Sequence, residues 1–268
     1  MLVSLQDGDL PVRFSAATSI HKMLHQKKVV QHLLPHLEVI LSNYLDLMAK
    51  IDHDELLGAL EELVDHFAGH IEPYALKLTV ELVKYFFRLV KSEDEEDGEA
   101  ALTAVGSLGA IKQIIKSVHK NKELLALLEV ETVSIVHYTL SSEGMDTVEE
   151  GVEILTLLLY HQDGISQRLW ECLPPMVHSL AGTPGNPYSG YCFEFLHNML
   201  AALQNYVLKG KEVIIASEAG SGYSFASFWK VIQAAVDANA QGKAQDDLVY
   251  AVRLVIALVE NLYPAIFE

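Results

Sequence analysis

Between Asp52 and Ala68 the apolar residues recur with the period of a helix. Leu56, Leu60, Leu63 and Phe67 fall at i, i+4, i+7 and i+11, and Leu57 and Val64 widen the stripe. Asp54, Glu55, Glu61, Glu62 and Asp65 occupy the other side. Such a pattern predicts an amphipathic helix packed on one side only. The rest of the chain reads in the same way. Alternating β-branched runs of strand length are absent, and the nearest approach is the short stretch Val213-Ile214-Ile215. The expected class is all-α.

The helical unit also recurs. A short acidic or polar cap followed by a helix with small residues on its inner face begins near Asp9, Asp52, Glu99, Asp146, Gly190 and Asp246, at spacings of 43, 47, 47, 44 and 56 residues. Between these lie partner helices over Val29–Lys50, Pro73–Val90, Lys122–Leu140, Ser166–Leu180 and Ser224–Ala240. Eleven or twelve helices in antiparallel pairs, one pair every ~40–47 residues, form the HEAT/armadillo pattern. One pair cannot bury its own apolar face, and stacked neighbours make a continuous core instead. The reading is a right-handed α-solenoid of HEAT-type helix pairs. A single array of about six repeats is expected over residues 1–268.

The first copy is the clearest. In Asp9-Leu10-Pro11-Val12-Arg13-Phe14-Ser15-Ala16-Ala17 an N-cap aspartate precedes a proline in the first turn. Asp9 is expected to cap the helix, Arg13 to ladder onto neighbouring loops, and the alanines to allow close helix approach. Only Met1–Leu5 precedes this second-type (B) helix, so the chain is expected to be a piece of a longer superhelix with an apolar first face. Three stretches break the helices: Ser92–Glu99 with six acids in eight residues, the turn-rich Gly182–Pro187, and Glu218–Gly222 within the longest spacing.

Charge narrows the choice of partner. There are 36 acidic residues against 19 Lys and Arg, a formal charge of −17. Such a surface repels nucleic-acid phosphates and anionic lipid and draws basic proteins. No apolar stretch reaches the ~20 residues of a membrane span. With two cysteines, Cys172 and Cys192, no disulfide framework is possible, which fits a reducing compartment. Residues 1–40 hold Arg13, Lys22, Lys27 and Lys28 against Asp7, Asp9 and Glu38, and acids gather from Asp52 onward. Glu61, Glu62, Asp65, Glu149, Glu150 and Glu153 lie on polar sides of B helices, which a solenoid would align into an acidic groove. With the acidic stretch Glu93, Asp94, Glu95, Glu96 and Asp97 they are the candidate basic-partner-binding residues, the alternative for the helix acids being a solvated exterior.

Catalytic and metal chemistry find little support. His21/His25, His32/His36 and His66/His70 share helical faces at i, i+4 but lack a third ligand. Gly220-Ser221-Gly222 is neither a phosphate loop nor a dinucleotide fingerprint. Cys172, beside Leu173-Pro174-Pro175, has no evident base nearby and reads as a buried thiol. No enzyme, metal or cofactor is expected.

The order of landmarks resembles the importin-β superfamily (karyopherins), and within it the importin seven/eight branch. The landmarks are Asp9–Arg13 with Ala16-Ala17, the helix holding Leu33-Leu34-Pro35, Asp52–Phe67, Ile71-Glu72-Pro73, the acidic Glu93–Asp97 before Ala100–Val118, and Trp170-Glu171-Cys172-Leu173-Pro174. The likeness is to the middle and C-terminal HEAT repeats of such receptors. It implies nuclear transport of basic protein cargo under control of the GTPase Ran and passage along phenylalanine-glycine repeat nucleoporins. It implies a place in cytoplasm and nucleus, with the nuclear envelope crossed in transit. Ran contacts would lie in repeats outside this chain. An export receptor of the same superfamily and a static HEAT scaffold are the competing readings.

Overall fold

Apolar stripes of the kind read above leave each helix one face to bury, and in the computed structural model they bury it against neighbouring helices. The structure describes residues 2–91, 98–182, 190, 192–218, 220–240 and 248–263, with the side chains of residues 98–101 left aside. Among them there are helices and turns and no strand. The chain divides into two compact units, residues 1–132 and 133–268.

The first unit holds α1 (Leu10–Ile20), α2 (Lys27–Leu33), α3 (Leu37–Met48), α4 (Asp54–His66), α5 (Ala75–Leu89), α6 (Gly98–Val118) and the start of α7 (Lys122–Thr139). α1 packs on α4 and α4 on α6, while α3 packs on α5 and α5 on α6. This is the HEAT arrangement of one helix layer stacked on a second. In α4 the stripe Leu56, Leu57, Ala59, Leu60, Leu63 and Val64 is buried, and each fully buried leucine stabilises by about 1.5–3 kcal/mol. The Tyr44 hydroxyl donates to the Ala17 carbonyl at 2.7 Å, tying α3 to α1 through the buried alanine pair.

The second unit holds the rest of α7, then α8 (Val148–His161), α9 (Gln167–Glu171), α10 (Leu173–Ala181), α11 (Leu196–Ala216), α12 (Phe225–Ala240) and α13 (Leu248–Leu262). α8 stacks on α11 and α11 on α13, with α10 on α12 and α12 on α13. Trp170 is buried between Tyr206 and Tyr223, at ring-centroid distances of 5.3 and 5.5 Å. The Lys209 ammonium on α11 donates to the carbonyls of Leu159, Tyr160 and Gln162 at 2.5, 2.7 and 2.5 Å. It therefore closes the C-terminal end of α8, where orphan carbonyls and the helix dipole favour a cation.

Several local readings change. The described residues form thirteen α-helical segments, because two expected helices are each split. Val29–Lys50 breaks at the 3₁₀ turn Leu34–His36, since Pro35 has no N–H to donate within a helix. Ser166–Leu180 breaks at Cys172, ahead of Pro174 and Pro175 in the first turn of α10. Asp9 holds the N-cap position, yet its carboxylate makes no capping bond. The Asp9 N–H itself donates to Asp7 at 2.9 Å. Val213-Ile214-Ile215 lies inside α11. Most of Gly182–Pro187 lies outside the described residues, but Gly182 ends α10 at φ 64°, a left-handed conformation suited to glycine.

Candidate protein-binding surface

The acids of α4 are held by the same stripe that buries its apolar side. Glu62 and Asp65 are exposed and Glu61 is half-buried. Glu61 is pushed toward α6, where a Cβ added to Gly109 would stand 2.7 Å from its Oε2. Asp65 accepts from the Gln113 side chain of α6 at 2.5 Å. Glu61 and Asp65 therefore rim the α4–α6 seam, and Glu62 faces outward. The Glu62 charge reaches inward only through space: burial first, and Glu62 second, push the Tyr44 hydroxyl pKa upward.

On α8, Val148, Val152, Leu155 and Leu159 are buried as the stripe requires. Glu149 and Glu153 are exposed and Glu150 is half-buried. Glu93, Asp94, Glu95, Glu96 and Asp97 lie outside the described residues.

Basic residues nearby are paired with carboxylates at the surface. Arg13 donates to the carbonyl of Leu5, in the 3₁₀ turn Ser4–Gln6, at 3.1 Å and pairs with Asp46 of α3 at 2.6 Å, so it reaches helices and not the loops expected of it. Lys50 joins the same carboxylate at 2.8 Å. Hydrogen bonds from Lys50 and then Arg13 hold the Asp46 carboxyl below its usual range. Arg88 donates to the Met48 carbonyl at 2.9 Å, pairs with Asp52 at 2.5 Å and lies over the Tyr85 ring.

A cleft of about 770 Å³ in the first unit was not anticipated. Leu34, Leu37, Pro73 and Leu127 line it, with Glu72 and Glu123 also at its wall. Asn121 spans two repeats there: its amide donates to Glu72 at 2.5 Å and its side-chain oxygen accepts the Leu124 N–H at 3.0 Å. The one sequence signal for this cleft was Leu127, an apolar residue on the polar side of α7 and 49% exposed.

The thiols are sealed. Cys172 does have a ring close by, with Sγ 3.9 Å from His137 Nε2. That contact spans 35 residues and could not be read from local spacing. The sulfur is fully buried, so it is presented to no substrate. Burial pushes the Cys192 thiol up to about 11, against a smaller opposing effect of its Ser179 hydrogen bond. Among the described residues, no three His, Cys, Asp or Glu side chains gather as metal ligands. Among the same residues, no helix is long and apolar enough to cross a membrane.

No protein-family model matches the chain, and no solved structure matches it. Curated proteins do. The importin beta-like SAD2 homolog of Arabidopsis thaliana is 30% identical over 207 residues, 76% of this chain and 19% of that protein. A Dictyostelium discoideum protein described as a probable importin-7 homolog is 26% identical over 250 residues, 91% of this chain and 23% of that protein. Human importin-8 is 22% identical over 215 residues, 80% of this chain and 20% of its own length. The chain spans about a fifth of the length of these relatives.

Proposed function

We propose, from a chain that is homologous over most of its length to importin-β-like proteins, that it is a protein-binding HEAT segment of a nuclear transport receptor. The observation that carries this reading is the kinship itself, which runs through the stacked helix pairs rather than through one motif. The segment takes basic protein cargo on the acidic outer faces of its B helices. Release is under control of Ran, bound through repeats outside this chain. Phenylalanine-glycine nucleoporins carry the receptor between cytoplasm and nucleus, across the nuclear envelope. A surplus of fixed negative charge beside low-dielectric helix walls draws a basic segment quickly, and salt weakens the capture.

The test is a binding isotherm for a histone-like basic ligand. Glu62, Glu149 and Glu153 are reversed to lysine together, because Glu62 points away from the seam that Glu61 and Asp65 rim. The expected result is about tenfold or greater weakening, with helicity retained and affinity falling as salt rises. Affinity unmoved by the reversal and by salt would refute cargo capture by these faces. Failure of the receptor to bind Ran-GTP or phenylalanine-glycine repeats would favour a static scaffold.

A further inference from the structure

The cleft of about 770 Å³ in the first unit lies apart from the acids of α4 and α8. Its walls come from three successive helix pairs. Leu34 and Leu37 stand at the turn into α3, Glu72 and Pro73 at the turn into α5, and Glu123 and Leu127 at the start of α7. All six fall within unbroken stretches of described residues. Leu37 is buried and Leu34 half-buried, while Pro73 and Leu127 are exposed, so the apolar lining runs from the core out to solvent. Gly69 also lines the cleft, and a Cβ added there meets nothing within 4 Å.

Size and charge identify the kind of occupant. The volume falls among those of sites that bury a ligand, about 300–1,000 Å³. Packed helices stand ~8–10 Å apart, so three in succession leave room for about five or six residues of extended chain at ~3.3 Å each. Two carboxylates line the cleft and, among the described residues, no lysine or arginine does. Neither Glu72 nor Glu123 is ion-paired among those residues. Glu72 accepts from Asn121 through Oε1, which leaves Oε2 for a ligand. A neutral apolar segment seated here would strip water from the carboxylates without replacing it, and an acidic one would be repelled. A basic side chain beside the apolar one supplies the missing charge.

We propose that this cleft docks an extended basic protein segment, seating one large apolar side chain on Leu34, Leu37 and Leu127 and setting a flanking lysine or arginine against Glu72 and Glu123. The proposal rests on the function given above for the basic character of the partner, and it adds an apolar anchor at a separate place. The outer faces of α4 and α8 read charge alone, whereas the cleft reads charge next to bulk.

Fluorescence anisotropy on the 268-residue chain tests this with labelled hexapeptides in which one Leu, Met or Trp is flanked by Lys and Arg. Saturable binding is expected. Serine in place of the apolar residue should weaken it about tenfold or more, the loss of one buried side chain. Glutamine in place of Lys and Arg should do the same, as should Glu72→Gln with Glu123→Gln in the protein. Gly69→Phe should fill the cleft and Leu127→Ser should remove its lip. Each should weaken binding about tenfold with circular dichroism unchanged, because Gly69 borders open space and Leu127 is half-exposed. Reversing Glu62, Glu149 and Glu153 to lysine should leave peptide affinity within about threefold at about 0.15 M salt. A histone-like ligand that ignores that triple reversal refutes capture by the outer faces and leaves the cleft standing. Absence of saturable binding overturns the cleft. So does binding that survives both Gly69→Phe and Leu127→Ser, that ignores the serine replacement, or that a neutral Phe-Gly peptide equals. Loss of the peptide on the triple reversal also overturns it and returns the peptide to the outer faces.

Discussion

Gly151 on α8 meets Thr139 on α7 so closely that there is no room for a methyl group. A Cβ built at Gly151 would stand 2.0 Å from Thr139 Oγ1, 2.5 Å from its Cβ and 2.6 Å from its Cγ2. Ordinary carbon contacts begin near ~3.5 Å, so Gly151→Ala requires the seam to open by roughly 1 Å. Rotation of Thr139 offers no relief, because its own Cβ is one of the clashing atoms. Its hydroxyl is also held by the Val136 carbonyl at 3.0 Å. Overpacking at a rigid contact of this kind costs about 3 kcal/mol, and the better helix propensity of alanine returns about 1 kcal/mol. The net expectation is destabilisation of about 2 kcal/mol. Urea unfolding followed by Trp170 fluorescence reads it in the correct unit. Gly58→Ala on α4 is the control, with no atom within 4 Å of the new methyl, and it should stabilise by about 0.5–1 kcal/mol, read by far-UV circular dichroism because the first unit holds no tryptophan. Adding Thr139→Gly to Gly151→Ala should recover part of the loss, with a coupling above about 1 kcal/mol. A Gly151→Ala chain as stable as the original would refute the reasoning.

Two further expectations follow from named contacts. Lys209→Met should leave the carbonyls of Leu159, Tyr160 and Gln162 without their shared cation, costing about 2 kcal/mol, and amide exchange should rise first at the end of α8. Asp46→Asn should cost less than about 1 kcal/mol at pH 7, because the pair with Arg13 and Lys50 is half-exposed. The Asp46 carboxyl pKa is depressed in the folded state, so its contribution is full above its unfolded value near pH ~4 and is lost as pH falls through the folded one. Denaturation curves for Asp46→Asn and the original should therefore converge in acid, and a gap that does not narrow as pH falls would contradict the assignment.

The helical phase of this chain was legible because it is local. The stripe from Leu56 to Val64 and the one from Val148 to Leu159 each report their buried side within a few turns, and repetition supplied the pairing. Arg13 was expected to engage its surroundings, but its partner Asp46 lies 33 residues away inside α3 and not in a loop. Contacts between repeats were not legible. Lys209 closes α8 across 47 to 50 residues, and His137 meets Cys172 across 35. Side chains of these types look like ordinary solvated positions within their own helices. Asp9 failed in the opposite way: the local rule placed it at the cap, but its carboxylate makes no capping bond there. The acids of α4 were placed on the correct side, yet only the glycine at 109 and the amide of Gln113 distinguish seam from open face.

The clamp around Trp170 has a practical counterpart on α12. Trp229, the other tryptophan of the chain, is 49% exposed and stacks on Phe225 at 6.1 Å. Two indoles in the same unit therefore sample opposite surroundings, one dry between tyrosine rings and one wet. Soluble quenchers will reach Trp229 and spare Trp170 until the packing beneath it opens. The unlabelled protein thus carries two optical channels, and an event at its surface can be told from a loosening of its interior by which emission changes.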